Sequence, residues 1–250
     1  MTDSIYCISV VRDYEMYNRC IRNNPFCRQM SLFSIDNLTE NKGIATRYNE
    51  FLEHFDGDGW IIFCHEDWQL DEDIRPHLEK ADVHCLYGPV GSFVKECKHS
   101  DFIVTKGRII QSDKSFSAEK KLRLGPKGGR VDTFDCQCLI VHSSLIRQYG
   151  LRFDENLTFD LYVEDFCVNA FEKNGIISVV LPIQCHHFSQ GSIQERFYTS
   201  LAYLRDKYRN GKKRYSVMVG HLTTFGKNLE KPIYSLRYYP GPLLRYLFKR

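Results

Sequence analysis

The sequence predicts an α/β protein: a mostly parallel sheet flanked by helices, followed by a helical, basic C-terminal extension. Three observations carry this. Apolar, β-favouring runs alternate with segments of helical apolar spacing between residues 4 and 64, the pattern of a parallel sheet covered by helices. Those runs end on polar side chains, at Asp13, Asp36, His65 to Asp67, and His186 with His187. In an open α/β sheet, such carboxyl ends border the ligand crevice. The charge is also unevenly placed: residues 205–250 hold 12 Lys/Arg against 2 Asp/Glu, and the preceding residues hold 22 against 29.

Taken in order, "SIYCISVV" (4–11) is a strand ending at Arg12 and Asp13, and "YEMYNRCIRNN" (14–24) is a helix with Met16, Cys20 and Ile21 on one face, stopped by Pro25. "MSLFSIDN" is the second strand. "KGIATRYNEFLEHF" (42–55) is a helix, with Ile44, Tyr48, Phe51, Leu52 and Phe55 at helical spacing and the turn "DGDG" after it. "WIIFC" (60–64) is the third strand. Glycine-broken strand pieces follow in "VHCLYGPVGSFV" and "DFIVTKGRII". Residues 111–130, rich in Lys, Ser and Gly, read as a mobile loop, and loops of that length are often functional. "FDCQCLIVHSSLI" reads as a strand, "VEDFCVNAFEKNG" as a helix closed by Gly175, and "ISVVLPIQCHHF" as one strand running into two histidines. Ser192 and Glu195 form a capping box for the next helix, which Gly211 ends. The expected division is a main domain over 1–200 and a basic amphipathic extension over 201–250.

At 250 residues and 43% hydrophobic, the chain buries a substantial core, which excludes a disordered protein. No segment reaches the roughly 18 apolar residues of a membrane span. The N-terminus runs directly into a strand pattern, so the expected location is cytoplasmic. The ten cysteines lack disulfide-scaffold spacing and are expected as buried thiols.

Within "CHEDW", alternation sends His65 and Asp67 to one side and Glu66 to the other. An Asp and a His on one side suit a divalent ion that substrate phosphates also hold, and they equally suit a strand end solvated by its charges. The motifs "SVVRDYEMYNRCI", "SIDN", "NKGIATRYNEFL", "WIIFCHEDWQL", "FDENLTFDLYVEDFCVNAFEKNG" and "HHFSQGS" follow in the order and rough spacing of the GT-A nucleotide-sugar glycosyltransferases. The chain resembles glycosyltransferase family 2, in the branch whose metal motif reads Phe-x-His-x-Asp in place of Asp-x-Asp.

That resemblance implies a Rossmann-like GT-A fold and an inverting transfer of sugar from a nucleoside diphosphate donor, with UDP favoured, to a hydroxyl of a glycan or lipid-linked oligosaccharide in cell-surface polysaccharide synthesis. It implies nucleotide contacts from Val11, Arg12, Asp13, Asp36, Asn41, Gly43 and Asn49. It implies Mn²⁺ or Mg²⁺ at Asp67, His65 and His187, with Ser189, Gly191 and Ser192 completing the His187 motif. Asp165 takes the place of the catalytic base with Glu164 as the fallback, and Asp135 is the acceptor-side acid, ahead of Asp132. Glu164 and Asp165 also fit ordinary N-terminal helix charge.

Lys114, Lys120, Lys121, Arg123, Lys127 and Arg130 are placed either to close over a diphosphate or to solvate a loop face. "LRYYPGPLLRYLFKR" (236–250) joins aromatic and aliphatic residues to four basic ones, which fits an anionic membrane surface as well as a solubilising terminus. No motif supports a nucleic-acid partner. Two other classes stay open: a sugar nucleotidyltransferase, against which "VVRDYEMYN" lacks a glycine-rich triphosphate loop, and a non-catalytic sugar- or lipid-binding module on the same fold.

Overall fold

The apolar run Gly59–Cys64 forms an interior strand of the fold, and every one of its residues is buried. In the computed structural model, which describes residues 3–96, 102–114, 119–123 (backbone only), 128–189, 194–217 and 224–227, it lies in a seven-stranded sheet. The described elements in chain order are β1 (Ser4–Val11), α1 (Tyr14–Tyr17) continuing as a π-helical turn (Asn18–Arg22), β2 (Ser31–Asp36), α2 (Ile44–His54), β3 (Gly59–Cys64), β4 (Trp68–Leu70) and α3 (Arg75–Leu78). Then come β5 (Leu86–Gly88), β6 (Val90–Lys95), β7 (Phe102–Ser112), β8 (Glu119–Arg123), β9 (Gly129–Val131), β10 (Thr133–Phe134) and β11 (Cys138–His142). The chain continues with α4 (Ser143–Tyr149), α5 (Tyr162–Asn174), β12 (Ser178–Val180), β13 (Cys185–His187), α6 (Glu195–Lys207), β14 (Arg214–Ser216) and β15 (Thr224–Gly226).

The large sheet runs β2-β1-β3-β11-β5-β12-β9. Its first three strands are parallel, and β11 enters antiparallel between β3 and β5. Register aligns Val11 with Asp36 and Ile8 with Phe63, so β1, β2 and β3 deliver their carboxyl ends to one edge. A second sheet runs β10-β6-β7-β13-β4, with β8 paired to β7. Two apolar clusters cover the faces of the large sheet: Tyr48, Phe63, Phe153, Tyr162 and Phe166 on one side, Trp60, Ile62, Cys64, Trp68 and Cys185 on the other.

The elements depart from the sequence reading in four places. The Lys-rich stretch 111–130 holds β8, whose backbone pairs antiparallel with β7 from Arg108↔Arg123 to Ser112↔Glu119. The run 176–188 is two strands in different sheets, because Pro182 has no N–H for a ladder and Ile183 N instead turns back to Leu181 O at 2.8 Å. The helix after Asp13 tightens into α1 and then widens into the π turn, closed where the Asn24 amide donates to Cys20 O and Leu70 O. The expected domain boundary at 200 falls inside α6, and Leu201, Leu204, Tyr208, Tyr215, Val217 and Phe225 join the main core. The tail 236–250 and the capping Ser192 lie outside the described residues; α6 begins after Gln194, which makes no side-chain cap. No described helix is long and apolar enough to cross a membrane. The nine described cysteines are free thiols, and all but Cys136 are buried.

Candidate functional site

At the aligned strand ends lies a cleft of about 540 Å³, walled by Val10, Arg12, Asn41, Gly43, His65, Glu66, Asp67 and Lys114, among others. Its floor is the turn that follows β3. The strand stops at Cys64, and residues 65–67 fold back into β4, closed by Trp68 N on His65 O at 3.1 Å. This turn keeps the alternation of a strand in which neighbouring side chains diverge. Glu66 swings toward β1 and accepts the backbone N–H groups of Arg12 (2.6 Å) and Asp13 (2.8 Å), while His65 and Asp67 face His187. Glu66 thereby ties the β1 loop to the turn after β3, a role with no signature in the sequence beyond its place between His65 and Asp67.

His187 reaches the same point by sheet pairing. β13 runs antiparallel to β4, opposing His187 to Trp68, and Phe188 N donates to Asp67 O at 2.9 Å. One ligand atom from each of His65, Asp67 and His187 lies within 4.8 Å of the others. The Asp67 Oδ1 to His187 Nε2 distance is 3.3 Å without hydrogen-bond alignment, and Asp67 Oδ1 to His65 Nδ1 is 4.0 Å. Asp67 Oδ1 and both ring nitrogens of His187 are buried without a hydrogen-bond partner. Buried polar atoms are nearly always paired, so unpartnered Asp67 Oδ1 and His187 Nε2, 3.3 Å apart beside His65, mark a place suited to a further group. Two imidazoles and a carboxylate at this spacing fit a divalent ion.

The electrostatics agree. Burial works to raise the Asp67 pKa, yet the imidazoles of His187 and His65, with Lys114, hold it below the ordinary carboxylate value. Burial lowers His65, favouring the neutral imidazole a metal needs. Burial also works against charge on His187, but its contact with Asp67 outweighs that and raises its pKa.

The remaining site residues divide between the cleft and the core. Arg12, Asn41 and Gly43 line the cleft. Asn41 takes a left-handed backbone (φ 48°), and Gly43 starts α2 so close to Thr158 that a Cβ would meet the Thr158 Cα at 3.1 Å. Asp13 caps α1 through Met16 N at 3.0 Å and faces Lys114 at 3.4 Å. Asp36 ends β2, where the Tyr14 hydroxyl donates to it at 3.0 Å. Two expected nucleotide contacts turn elsewhere. The Val11 side chain packs in the core behind the sheet, and Val10 faces the cleft instead. Asn49 brackets the Phe153 backbone, donating to Phe153 O and accepting from Phe153 N, both at 3.0 Å, because its place on α2 faces the core rather than the helix start.

The acidic pair on α5 also separates. Successive helical residues point about 100° apart. Asp165, expected as the base, faces α6, where Lys207 Nζ (2.7 Å) and the Tyr208 hydroxyl (2.8 Å) hold its Oδ1; Lys207 also pairs with Asp154. Glu164 faces the other way, toward Cys136, whose thiol donates to its Oε2 at 2.8 Å. Burial lifts its pKa to about 8, and the charges of Asp135 and Asp160 add to the rise. The Asp135 carboxylate also acts on His65 and His187 and accepts from Gln137 at 3.0 Å. Asp132 instead pairs with Lys213. Of the basic loop residues, Lys114 reaches the cleft and Arg130 stacks over Phe171; the side chains of Lys120, Lys121, Arg123 and Lys127 lie outside the described residues, as do Gly191 and Ser192.

Three contributors went unsuspected in the sequence. Tyr162, the first residue of α5, contacts His65. Phe159 stacks on His65, and Arg196 lies over the Phe159 ring at 4.1 Å while pairing with Asp160. Tyr162 could have been found as the helix-opening neighbour of the acidic pair; Phe159 and Arg196 carry no local signal.

This fold and site define a GT-A type α/β protein with a cleft at the ends of its parallel strands and a His65–Asp67–His187 group there that could hold a metal ion. The sequence matches the model of glycosyl transferase family 2 over residues 25–152, and the chain belongs to that family. The matched stretch contains His65 and Asp67 but stops short of α5 and His187. No curated protein matches the sequence. Among solved structures, GalNAc-T7 with UDP, GalNAc and Mn²⁺ is similar at 11% identity and a TM-score of 0.53, over 83% of this chain and 49% of that one. TarS residues 1–349 of S. aureus is similar at 14% identity and a TM-score of 0.51, over 84% of this chain and 66% of that one. At these identities the likeness is one of fold, and the chain spans about half to two thirds of the length of those structures.

Proposed function

We propose that this protein is an inverting glycosyltransferase that moves a sugar from a nucleoside diphosphate donor, a UDP-sugar, to a hydroxyl of a glycan or lipid-linked oligosaccharide during synthesis of a cell-surface polysaccharide. The single observation that carries the proposal is the His65–Asp67–His187 cluster, with its orphaned buried atoms, opening on a cleft at the strand ends. UDP and Mn²⁺ in the crystal of GalNAc-T7 support the choice of donor and ion. A divalent ion held by the three side chains would supply positive charge to the departing diphosphate, and two imidazoles suit Mn²⁺ better than oxygen-preferring Mg²⁺.

The chain's own groups do the rest. Asn41, Gly43 and Arg12 border the donor side, with Lys114 offering a further cation to phosphate oxygens. On the α5 side, the geometry favours Glu164 over Asp165 as the base: it faces Asp135 and Cys136, whereas the Oδ1 of Asp165 is bound by Lys207 and Tyr208. The ionised Glu164 carboxylate takes the proton of the acceptor hydroxyl as that oxygen attacks the anomeric carbon, and a base with a pKa of about 8 matches that task. Asp135 orients the acceptor beside it. The basic residues of 205–250 draw the enzyme from the cytoplasm to an anionic lipid surface, where a lipid-linked acceptor resides.

The test is to incubate the protein with a panel of nucleotide sugars and Mn²⁺, following thermal stabilisation and release of nucleoside diphosphate. Stabilisation by one UDP-sugar, lost on adding chelator, is the expected result. Failure to bind any nucleotide sugar or diphosphate, with or without metal, removes the transferase reading.

A further inference from the structure

Tyr162 sits where three separate facts meet. Its hydroxyl lies 2.8 Å from the carbonyl of Cys136 and 3.0 Å from Nε2 of His65. A phenol has one proton. The carbonyl cannot donate, so the hydroxyl proton goes to Cys136 O, and the contact with His65 is left for a hydrogen on Nε2. The neutral ring then carries its free lone pair on Nδ1, the atom 4.0 Å from Asp67 Oδ1 and turned to the cluster.

The backbone holds the tyrosine there at a cost. Leu161, immediately before it, is a buried leucine in the left-handed region (φ 65°), a conformation that branched-chain bulk disfavours and that neighbouring structure must enforce. Leu161 is the cap that precedes α5, and Asp165 N bonds back to its carbonyl at 3.0 Å. The Tyr162 ring is packed between Tyr48 and Phe153 in the core, so its position is determined by the same apolar cluster that seats the helix.

We infer that Tyr162 is a positioning residue for the metal site: it fixes the tautomer and orientation of His65 so that Nδ1 faces the ion, and it joins that site to the helix carrying Glu164. The inference rests on the metal reading given above. A hydrogen-bonded partner on the far nitrogen of a metal-bound histidine typically changes metal affinity 10- to 100-fold. The link is also short: one residue, Val163, separates Tyr162 from Glu164, and Cys136 contacts both, through its carbonyl and its thiol.

Two measurements test this on the full chain. In metal-free wild-type protein labelled with ¹⁵N-histidine, the His65 ring should show a protonated Nε2 and a bare Nδ1; a protonated Nδ1 overturns the inference without any variant having to fold. Mn²⁺ titration of wild type and Tyr162→Phe, read by the free-ion EPR signal, should show affinity falling about 10- to 100-fold in the variant while its near-UV circular dichroism is retained. Equal affinities in the two proteins overturn the inference alone. If wild type itself binds no Mn²⁺, the metal reading fails and the inference with it, a result distinct from equal binding by both.

Discussion

The two halves of the site treat buried charge in opposite ways. At the ends of β1, β3 and β13, Asp67 and His187 are buried with their cluster-facing atoms unpaired. Around α5 and α6, the buried carboxylates have cationic partners: Asp165 shares Lys207 with Asp154 through its Oδ1, although its Oδ2 is buried without a partner, and Asp132 takes Lys213. A buried charge left unpaired is expensive, and it persists where a ligand completes it; a saturated one stabilises the fold and is unavailable for chemistry. Glu164 differs from Asp165 and Asp132 in having no cation beside it, with a thiol as its neighbour and a pKa of about 8.

That contrast breaks most sharply at Glu164. Glu164→Gln should cut transfer by about 10²- to 10⁴-fold, the usual range for a general base, and leave donor binding unchanged by calorimetry. If instead Asp165→Asn abolishes transfer with the fold intact while Glu164→Gln is active, the roles are reversed. The wild-type rate should climb with pH toward about 8 as Glu164 ionises beside Asp135, Asp160 and Cys136. Stability should move the other way. The folded state holds the Glu164 proton up to about 8 while the unfolded chain releases it near the ordinary carboxylate value of 4.5, so stability falls as pH rises through that window. The full effect is on the order of 5 kcal/mol, and Glu164→Gln should flatten the thermal profile across it.

On the unsaturated side, Asp67→Asn should weaken Mn²⁺-dependent donor binding by about 100-fold or more, beyond what loss of a supporting hydrogen bond produces, with little change in thermal stability. A large drop in melting temperature would make Asp67 a structural charge like those of the other half. Asp165→Asn probes that other half: it should cost about 3 kcal/mol in denaturant unfolding, because Lys207 loses a buried partner, and should leave donor affinity unchanged. The smallest effect belongs to Asn49→Ala, which unpairs the Phe153 backbone for about 1–2 kcal/mol and should not alter nucleotide binding.

Much of the fold was legible because strands and helices announce themselves by period. β1, β2, α2 and β3 follow the alternation of apolar runs and helical spacing, and their ends lie where polar residues interrupt them. The Lys-rich β8 escaped because a strand paired on one edge needs no apolar face, and the division of 176–188 between two sheets depends on tertiary partners. In the site, order of motifs nominated His65, Asp67 and His187, which the fold brings to one point. Motif order does not encode rotation about a helix axis, so it could not tell Glu164 from Asp165, nor see that Asn49 faces inward. Val11 illustrates the same limit in a strand, where one position decides between cleft and core.

The pairing of β4 with β13 has a consequence for how the molecule is made. Residues 65 and 67 leave the ribosome early and residue 187 late, and the pairing of β13 with β4 and β7 brings them together. Contacts so distant in sequence pay the largest loop-closure entropy and form late in folding. A nascent chain that already carries its parallel strands has therefore not yet joined residue 187 to residues 65 and 67, and the three side chains meet only once β13 has emerged and paired.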